Sequence, residues 1–405
     1  MLRTQSEIVI IGGGSAGLAL AYHYALQDHK DRDITILESR ATYRDDRTWC
    51  FWDFDELVPS LRPIIRQKWN RWSFSHDTET VVQRSTVHPY CSISAGNYYD
   101  IVLNSIAAEK NIALIADCHV LHASMKNNDH VLSTTKGEIT CKHIIDTRPP
   151  VFGYAYSQTS SCQAPLPEKI PGTPLYQIFF GIEVTVEKDI FDPATVQLMA
   201  DMTHDEHGLQ FMYVLPFSAK QALIEYTCFT SLLFTPEKLR QKCLQKVQQM
   251  VQEAPYQIVR EEGAFLPLGL PKREGGKQNW IYAGIPGGSL RKSTGYAFIR
   301  TQRWAKRCAA ALVKGDKPIP MHCDTTLREY LDNIFLQVME TYPELSTEIF
   351  MTMGKHLSAD TFARFMMEKS TLRDYVRVIS AMPAAPFLNQ ALKRLRGLAG
   401  NEQHN

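Results

Sequence analysis

No apolar run in this 405-residue sequence approaches the ~18 consecutive residues that span a bilayer, which excludes a transmembrane helix. The N-terminal apolar stretch, Ile8 to Ile11, runs straight into glycines with no small-residue cleavage site, so it does not read as a signal peptide. Neither sign of charge is in excess. Lys and Arg number 44, Asp and Glu 43, and a net charge of +1 gives no electrostatic footprint for nucleic acid. The nine cysteines are dispersed and form no C-x-x-C pair. Such a set reads as reduced, buried thiols of a cytoplasmic protein, not as a disulfide framework or a zinc site. The histidines include His204 and His207, but nothing nearby completes a ligand set, so no metal site is expected. Internal repeats and low-complexity tracts are absent as well. What remains is an ordinary globular balance, 44% hydrophobic and 21% charged, with length for two or three lobes.

Against that background the first forty residues stand out. Residues 7–11, EIVII, read as a short buried parallel strand. Gly12, Gly14 and Gly17 follow as G-x-G-x-x-G, and Ser15 to Leu26 reads as a helix. Residues 33–37, DITIL, read as the next strand, ending at Glu38, so the order implies a parallel sheet with a right-handed crossover. In that context the first glycine permits the tight turn, the second lets backbone N–H groups approach a pyrophosphate, and the third lets helix and strand pack closely. The helix N-terminus favours the phosphates, and Glu38 suits the ribose hydroxyls. One such motif, a later glycine turn and a β-rich insertion between them suggest FAD more than NAD, by analogy of fold.

Downstream, residues 97–110 read as a helix, and three β-like segments up to residue 147 read as strands returning to the first domain. Pro149, Pro150, Pro165, Pro167, Pro171 and Pro174 punctuate a linker. Alternating runs over residues 176–229, including FMYVLPF and ALIEYTCF, suggest an antiparallel sheet. A strand near 280 meets a second glycine turn, and after about 300 the chain reads as helical. The expected fold is therefore α/β. An FAD-binding Rossmann-type domain (residues 1–75, 105–155 and 270–315) carries an antiparallel β-rich substrate domain (76–104 and 156–269) and a helical C-terminal region (316–405).

Five segments taken in order resemble the bacterial lycopene β-cyclase family, in the form found in Bacteroidetes. They are DRTWCFW (46–52), DTRPP (146–150), FDPATVQLM (191–199) with FMYVLPF and ALIEYT, AGIPGGSLRKSTGYAF (283–298) and PAAPF (383–387). The resemblance implies cyclisation of the linear carotenoid lycopene to β-ring products, γ-carotene or β-carotene, by acid-initiated carbocation chemistry. It implies reduced FAD with NAD(P)H as reductant, and no net redox change. Gly12, Gly14, Gly17 and Glu38 match the FAD fingerprint, Gly284, Gly287 and Gly288 the second flavin-contacting turn, and Glu225 of ALIEYT the essential acid. Two positions depart from many relatives: Tyr226 stands where a second acid is common, and Arg291-Lys292-Ser293 stands where a His-Pro pair is common.

Ring closure needs a protonated acid in a dry pocket, and a cation stabiliser that is not a nucleophile. Glu225 lies in an apolar run where burial would keep it protonated; a carboxylate paired with Arg or Lys is the other reading. Trp49, Phe51, Trp52, Tyr213, Phe217 and Tyr226 offer aromatic faces to a cation, or are core. Arg47 suits a flavin phosphate, or a surface pair with Asp46. A polyene substrate and the basic amphipathic end at Lys393, Arg394 and Arg396 imply a cytoplasmic protein held peripherally at the inner membrane. A flavin monooxygenase, a prenyl reductase and a non-enzymatic prenyl-lipid carrier are the competing readings on the same scaffold.

Overall fold

The computed structural model describes residues 3–149, 170, 172–252, 254–273, 279–321 and 324–401, so most of the proline linker lies outside the described residues. In chain order the strands are β1 (Gln5–Ile11), β2 (Ile34–Leu37), β3 (Thr48–Trp52), β4 (Ile65–Trp69), β5 (Arg71–His76), β6 (Glu79–Arg84), β7 (Tyr90–Ser94), β8 (Ile112–Ile115), β9 (Val120–Lys126), β10 (Asp129–Thr134), β11 (Gly137–Asp146), β12 (Leu175–Val186), β13 (Thr195–Asp205), β14 (Gly208–Ser218), β15 (Gln221–Thr230), β16 (Tyr256–Leu268) and β17 (Trp280–Tyr282). The helices are α1 (Ser15–Ala25), α2 (Ala95–Ala107), α3 (Pro236–Met250), α4 (Phe298–Val313), α5 (Thr326–Thr341), α6 (Ser346–His356), α7 (Ala359–Met366), α8 (Leu372–Ala381) and α9 (Ala384–Asn401).

The first sheet runs β8-β2-β1-β11-β10-β9, with β17 also on β11. Its β8, β2, β1, β11 and β17 are parallel, as continuous apolar strands such as Ile8 to Ile11 require when both faces are covered. Helix α1 packs between this sheet and α4 and α2. The second sheet runs β16-β12-β15-β14-β13-β5-β6 and is antiparallel except between β13 and β5. Strands β3, β7 and β4 form a small third sheet. Relative to the ranges read from sequence, Arg71–Ser75 already pairs in the second sheet, and Ala95–Asn104 packs on α1. Local alternation marks a strand without saying which distant edge it joins.

Alternation decides what the second sheet faces. Ile178, Ile182 and Ile224 pack with Leu239, Cys243 and Val247 of α3. Their neighbours Phe179, Glu225 and Thr227 line a cavity on the opposite face. Helices α5 to α9 close that cavity's far end. Side chains cap α2 (Ser94), α3 (Thr235), α5 (Thr325), α7 (Ser358) and α8 (Thr371), the last as a full capping box with Asp374. No side chain caps α1, which begins at Gly14. Among the described residues no helix is long and apolar enough to cross a membrane.

Candidate active site

One cavity of about 1210 Å³ runs from the glycine loop, past the second sheet, to α8 and α9. Its first end is built by β1, which stops where Gly12 turns with φ +100°. The Gly12 amide donates to Leu37 O at 2.8 Å, tying the loop to β2. A Cβ on Gly17 would fall 2.0 Å from Gly12 O, so only glycine lets α1 cross the loop this closely. A Cβ on Gly14 would meet nothing within 4 Å, because Gly14 faces the cavity. The uncapped first turn of α1 opens at the same place, an arrangement that accepts phosphate. Glu38 also lines the cavity and accepts from the amides of Gly13 at 2.7 Å and Arg40 at 2.8 Å. Burial raises its carboxyl, but the hydrogen bonds and charge of Arg40, with those amides, outweigh burial and hold it below the usual carboxylate range.

The second turn contributes less directly than the sequence suggests. Gly284 (φ +69°) lies on the cavity with Ser289, and a Cβ there would sit 3.2 Å from Ala16 Cβ. Gly287 and Gly288 do not line the cavity. They shape the turn: a Cβ on Gly287 would lie 2.6 Å from Tyr282 O, and Gly288 has φ +90°. Arg47 and Asp46 both line the cavity, and Asp46 lies 3.8 Å from Arg40. The open face at Gly14, the uncapped helix and the carboxylate at Glu38 fit a dinucleotide.

The middle of the cavity carries two glutamates. Glu225 on β15 is buried, and its register partner on β12 is Gly181. Glu262 on β16 is also buried and also pairs with Gly181. The two carboxyl groups thus flank a residue with no side chain, and both line the cavity face. Thr48 donates to Glu262 from Oγ1 at 2.8 Å and from its amide at 3.2 Å, and Arg260 pairs with Glu262. Arg260 also donates to Glu183 at 2.7 Å. Burial, then the charge and hydrogen bond of Glu262, push Glu225 well above the ordinary carboxyl range; Arg260 offsets only part of this. These surroundings favour the protonated form of Glu225.

Around it stands a ring of phenols. Tyr213 pairs with Glu225 across β14 and β15. Tyr90 Oη lies 2.8 Å from both Tyr213 Oη and Tyr296 Oη. Burial pushes all three phenols and the Cys50 thiol up, so none offers an anionic nucleophile. The Trp52 ring lies 4.5 Å from that of Tyr90 and 5.6 Å from that of Tyr296. Of the aromatics singled out from sequence, Trp49, Trp52 and Tyr213 line the cavity. The others lie off it. Tyr226, one step from Glu225, points to the opposite face and donates to Gln210 Oε1 at 2.8 Å. Phe217 lies beneath the guanidinium of Arg66 at 3.5 Å, and Phe51 is core. Glu262, Gly181, Tyr90 and Tyr296 were not singled out from sequence; the charged alternation of Arg260 and Glu262 in a buried strand was the available signal.

The far end is apolar. Phe350, Phe362, Phe365, Ile379, Phe387 and Leu388 line it. The Arg291-Lys292-Ser293 departure has a structural role at its edge. Buried Arg291 pairs with Asp332 at 3.2 Å and donates to Phe365 O, and Ser293 donates to Asp332 at 2.7 Å. These bonds lock the second glycine turn to α5 and α7. Among the described residues, no group of three or more His, Cys, Asp or Glu side chains could hold a metal ion.

A glycine-loop α/β sheet, an antiparallel sheet with one carboxyl-lined face and a helical C-terminal region together make a Rossmann-type flavoprotein fold. The structure aligns with a flavoprotein/dehydrogenase from Cytophaga hutchinsonii at a TM-score of 0.58 and 13% identity, covering 93% of this chain and 99% of that one. A geranylgeranyl bacteriochlorophyll reductase-like protein from Thermoplasma acidophilum aligns at 0.55 and 11% identity, covering 97% and 99%. Within that class the chain belongs to the family described as lycopene cyclase protein, which matches residues 7–392. A lycopene beta-cyclase of Pantoea ananas is 23% identical over 398 residues, 94% of this chain and 96% of its own.

Proposed function

We propose that the protein closes β-rings on lycopene, giving γ-carotene and β-carotene with no net redox change. The observation that carries this reading is a buried carboxyl, Glu225, set in an apolar cavity that also reaches the glycine loop and in surroundings that favour its protonated form. Glu225 gives its proton to a terminal alkene. The electron pair of a neighbouring double bond attacks the resulting cation and forms the ring bond, and the ring cation then gives up a proton that returns to solvent, so that one proton enters and one leaves. Atoms and electrons balance as an isomerisation. The faces of Trp52, Tyr90, Tyr213 and Tyr296 attract the cation. The tyrosine hydroxyls are engaged with one another, and the aromatic walls keep out water that would quench the cation.

Gly12, Gly14, Gly17, Glu38 and Arg47 would hold FAD, with Gly284 on the second turn and Gly287 and Gly288 shaping it. Bound FAD, reduced by NAD(P)H, would supply an electron-rich ring system. In the same reading the protein works peripherally at the cytoplasmic face of the inner membrane. The support is that the helices lining the far end also expose Leu372, Val376, Leu388 and Leu392, beside Arg373, Arg377 and Lys393.

The test runs the reaction in D₂O with flavin reduced beforehand. About one deuterium per ring is expected at the carbon protonated first, and none from deuterated nicotinamide. Glu225→Gln should keep its flavin and lose the ~10²–10⁴-fold typical of a missing general acid. Label from the nicotinamide would make this a reductase instead.

A further inference from the structure

Glu262 takes no part in the steps above, yet it is as buried as the acid and shares its register partner, Gly181. Three strands produce that arrangement. β15 and β16 run on either side of β12, and both registers bring their glutamate opposite Gly181. In-register residues on neighbouring strands present their side chains on one face. With glycine between them the two carboxyls meet over the middle strand instead of being held apart by a Cβ. That Cβ would sit 2.8 Å from Glu225 Cγ.

The two glutamates have unequal surroundings. Glu262 is supplied with donors: Thr48 Oγ1, the Thr48 amide and the Arg260 guanidinium. Arg260 is itself fixed by Glu183 and Thr48, and Glu183 in turn by Arg66 and Gln221. Glu225 faces un-ionised groups: Tyr213 on β14, Cys50 on β3, Tyr90 on β7, Tyr296 ahead of α4, and Cys243 of α3 behind the sheet. The donors on one side specify which carboxyl of the pair is the acceptor and which keeps the proton.

Resting on the reading of Glu225 as proton donor, we infer that Glu262 is a positioning residue for the reaction: its carboxylate, anchored by Arg260 and Thr48, accepts the Glu225 hydrogen bond and keeps the single proton of the pair on Glu225. Once that proton has gone to substrate, two carboxylates face each other in an apolar wall. The repulsion between them draws a proton back to Glu225 and resets the site for the next ring. Glu262 touches neither the alkene nor the cation. Its effect is on how far up the pH scale Glu225 stays loaded.

The experiment compares kcat/KM against pH for the flavin-loaded wild type, Glu262→Gln and Glu262→Asp. Activity requires protonated Glu225, so it falls as pH rises through that group's titration. Removing the neighbouring negative charge makes Glu225 a stronger acid, so the alkaline limb should move to lower pH by roughly 1–3 units in Glu262→Gln. Glu262→Asp keeps its pairing with Arg260 but draws the charge back by one methylene. It should fold even where the Gln variant does not, and should show a smaller shift in the same direction. A second readout needs no turnover. The infrared band of the buried carboxylic acid, assigned by its loss in Glu225→Gln, should titrate at lower pH in both Glu262 variants. A slower enzyme whose limb and band stay at the wild-type pH would overturn the inference, because a purely structural role moves neither. Full activity in Glu225→Gln would overturn the proton-donor reading itself, whereas an inactive Glu225→Gln with unshifted Glu262 variants overturns only the role of Glu262.

Discussion

The Cβ that Gly181 lacks would sit 2.8 Å from Glu225 Cγ and 3.3 Å from Glu225 Oε1. A glycine inside a strand ordinarily costs about 0.5–1 kcal/mol relative to alanine, so Gly181→Ala would be mildly stabilising if backbone preference decided the outcome. The steric contact predicts the opposite for function. Gly181→Ala should keep its fold and bound flavin, and lose at least roughly tenfold in turnover as Glu225 is pushed off its contact with Glu262. Circular dichroism, flavin absorbance and pigment formation measured on one preparation check it. Turnover within twofold of wild type would show that the glycine is not needed there.

The two loop glycines should fail in different ways. Gly14→Trp has open space above it, so the protein should fold with a near-normal melting temperature and lose its flavin spectrum. Gly17→Ala drives a methyl into Gly12 O and should cost about 1–3 kcal/mol of stability, the usual scale for forced overpacking. Denaturant melts with and without added FAD separate the two. Flavin retained by Gly14→Trp would remove the loop from the cofactor site.

Arg291→Met tests the clamp on the second glycine turn. It strips the partner from buried Asp332, and breaking one side of a buried ion pair typically costs about 3–5 kcal/mol. A urea midpoint unchanged from wild type would place the turn's rigidity elsewhere. Arg291→Met with Asp332→Leu should recover part of the loss, because no uncompensated charge is left behind.

At the cavity's apolar end, replacing Leu372, Val376, Leu388 and Leu392 together by Ser should reduce co-sedimentation with anionic vesicles by more than tenfold. Each side chain gives up contact with lipid. Wild-type binding should weaken with salt, since each basic residue near an anionic surface contributes about 1 kcal/mol that ions screen. Unaltered vesicle binding by the quadruple variant would exclude α8 and α9 as the docking face.

The glycine loop and Glu38 were legible because their geometry is local: strand, turn, helix and strand lie within forty residues. Glu225 was singled out as a carboxyl in an apolar alternating run at the position of the family's essential acid, and the structure buries it on the cavity wall. Glu262 was hidden by its surroundings. It follows Arg260 and Glu261 in a segment that reads as a charged surface, and only the pairing of β16 with β12 shows which of those charges turn inward. Tyr226 misled for a related reason, since its nearness to Glu225 in sequence puts it on the other face of the strand. Gly287 and Gly288 matched a motif, and the structure gives them the turn while Gly284 meets the cavity.

Gly181, Glu225 and Glu262 are far apart along the chain, and nothing local brings them together. In a partly folded chain Glu225 is a hydrated carboxylate like any other, ionised at neutral pH. In the proposed reading it becomes a proton donor only when β12 has taken its place between β15 and β16, a pairing of the non-local kind that forms slowly. The acid strength of one side chain is thus a product of assembly. The appearance of its infrared band during refolding would time the closing of the central sheet, without any label being introduced.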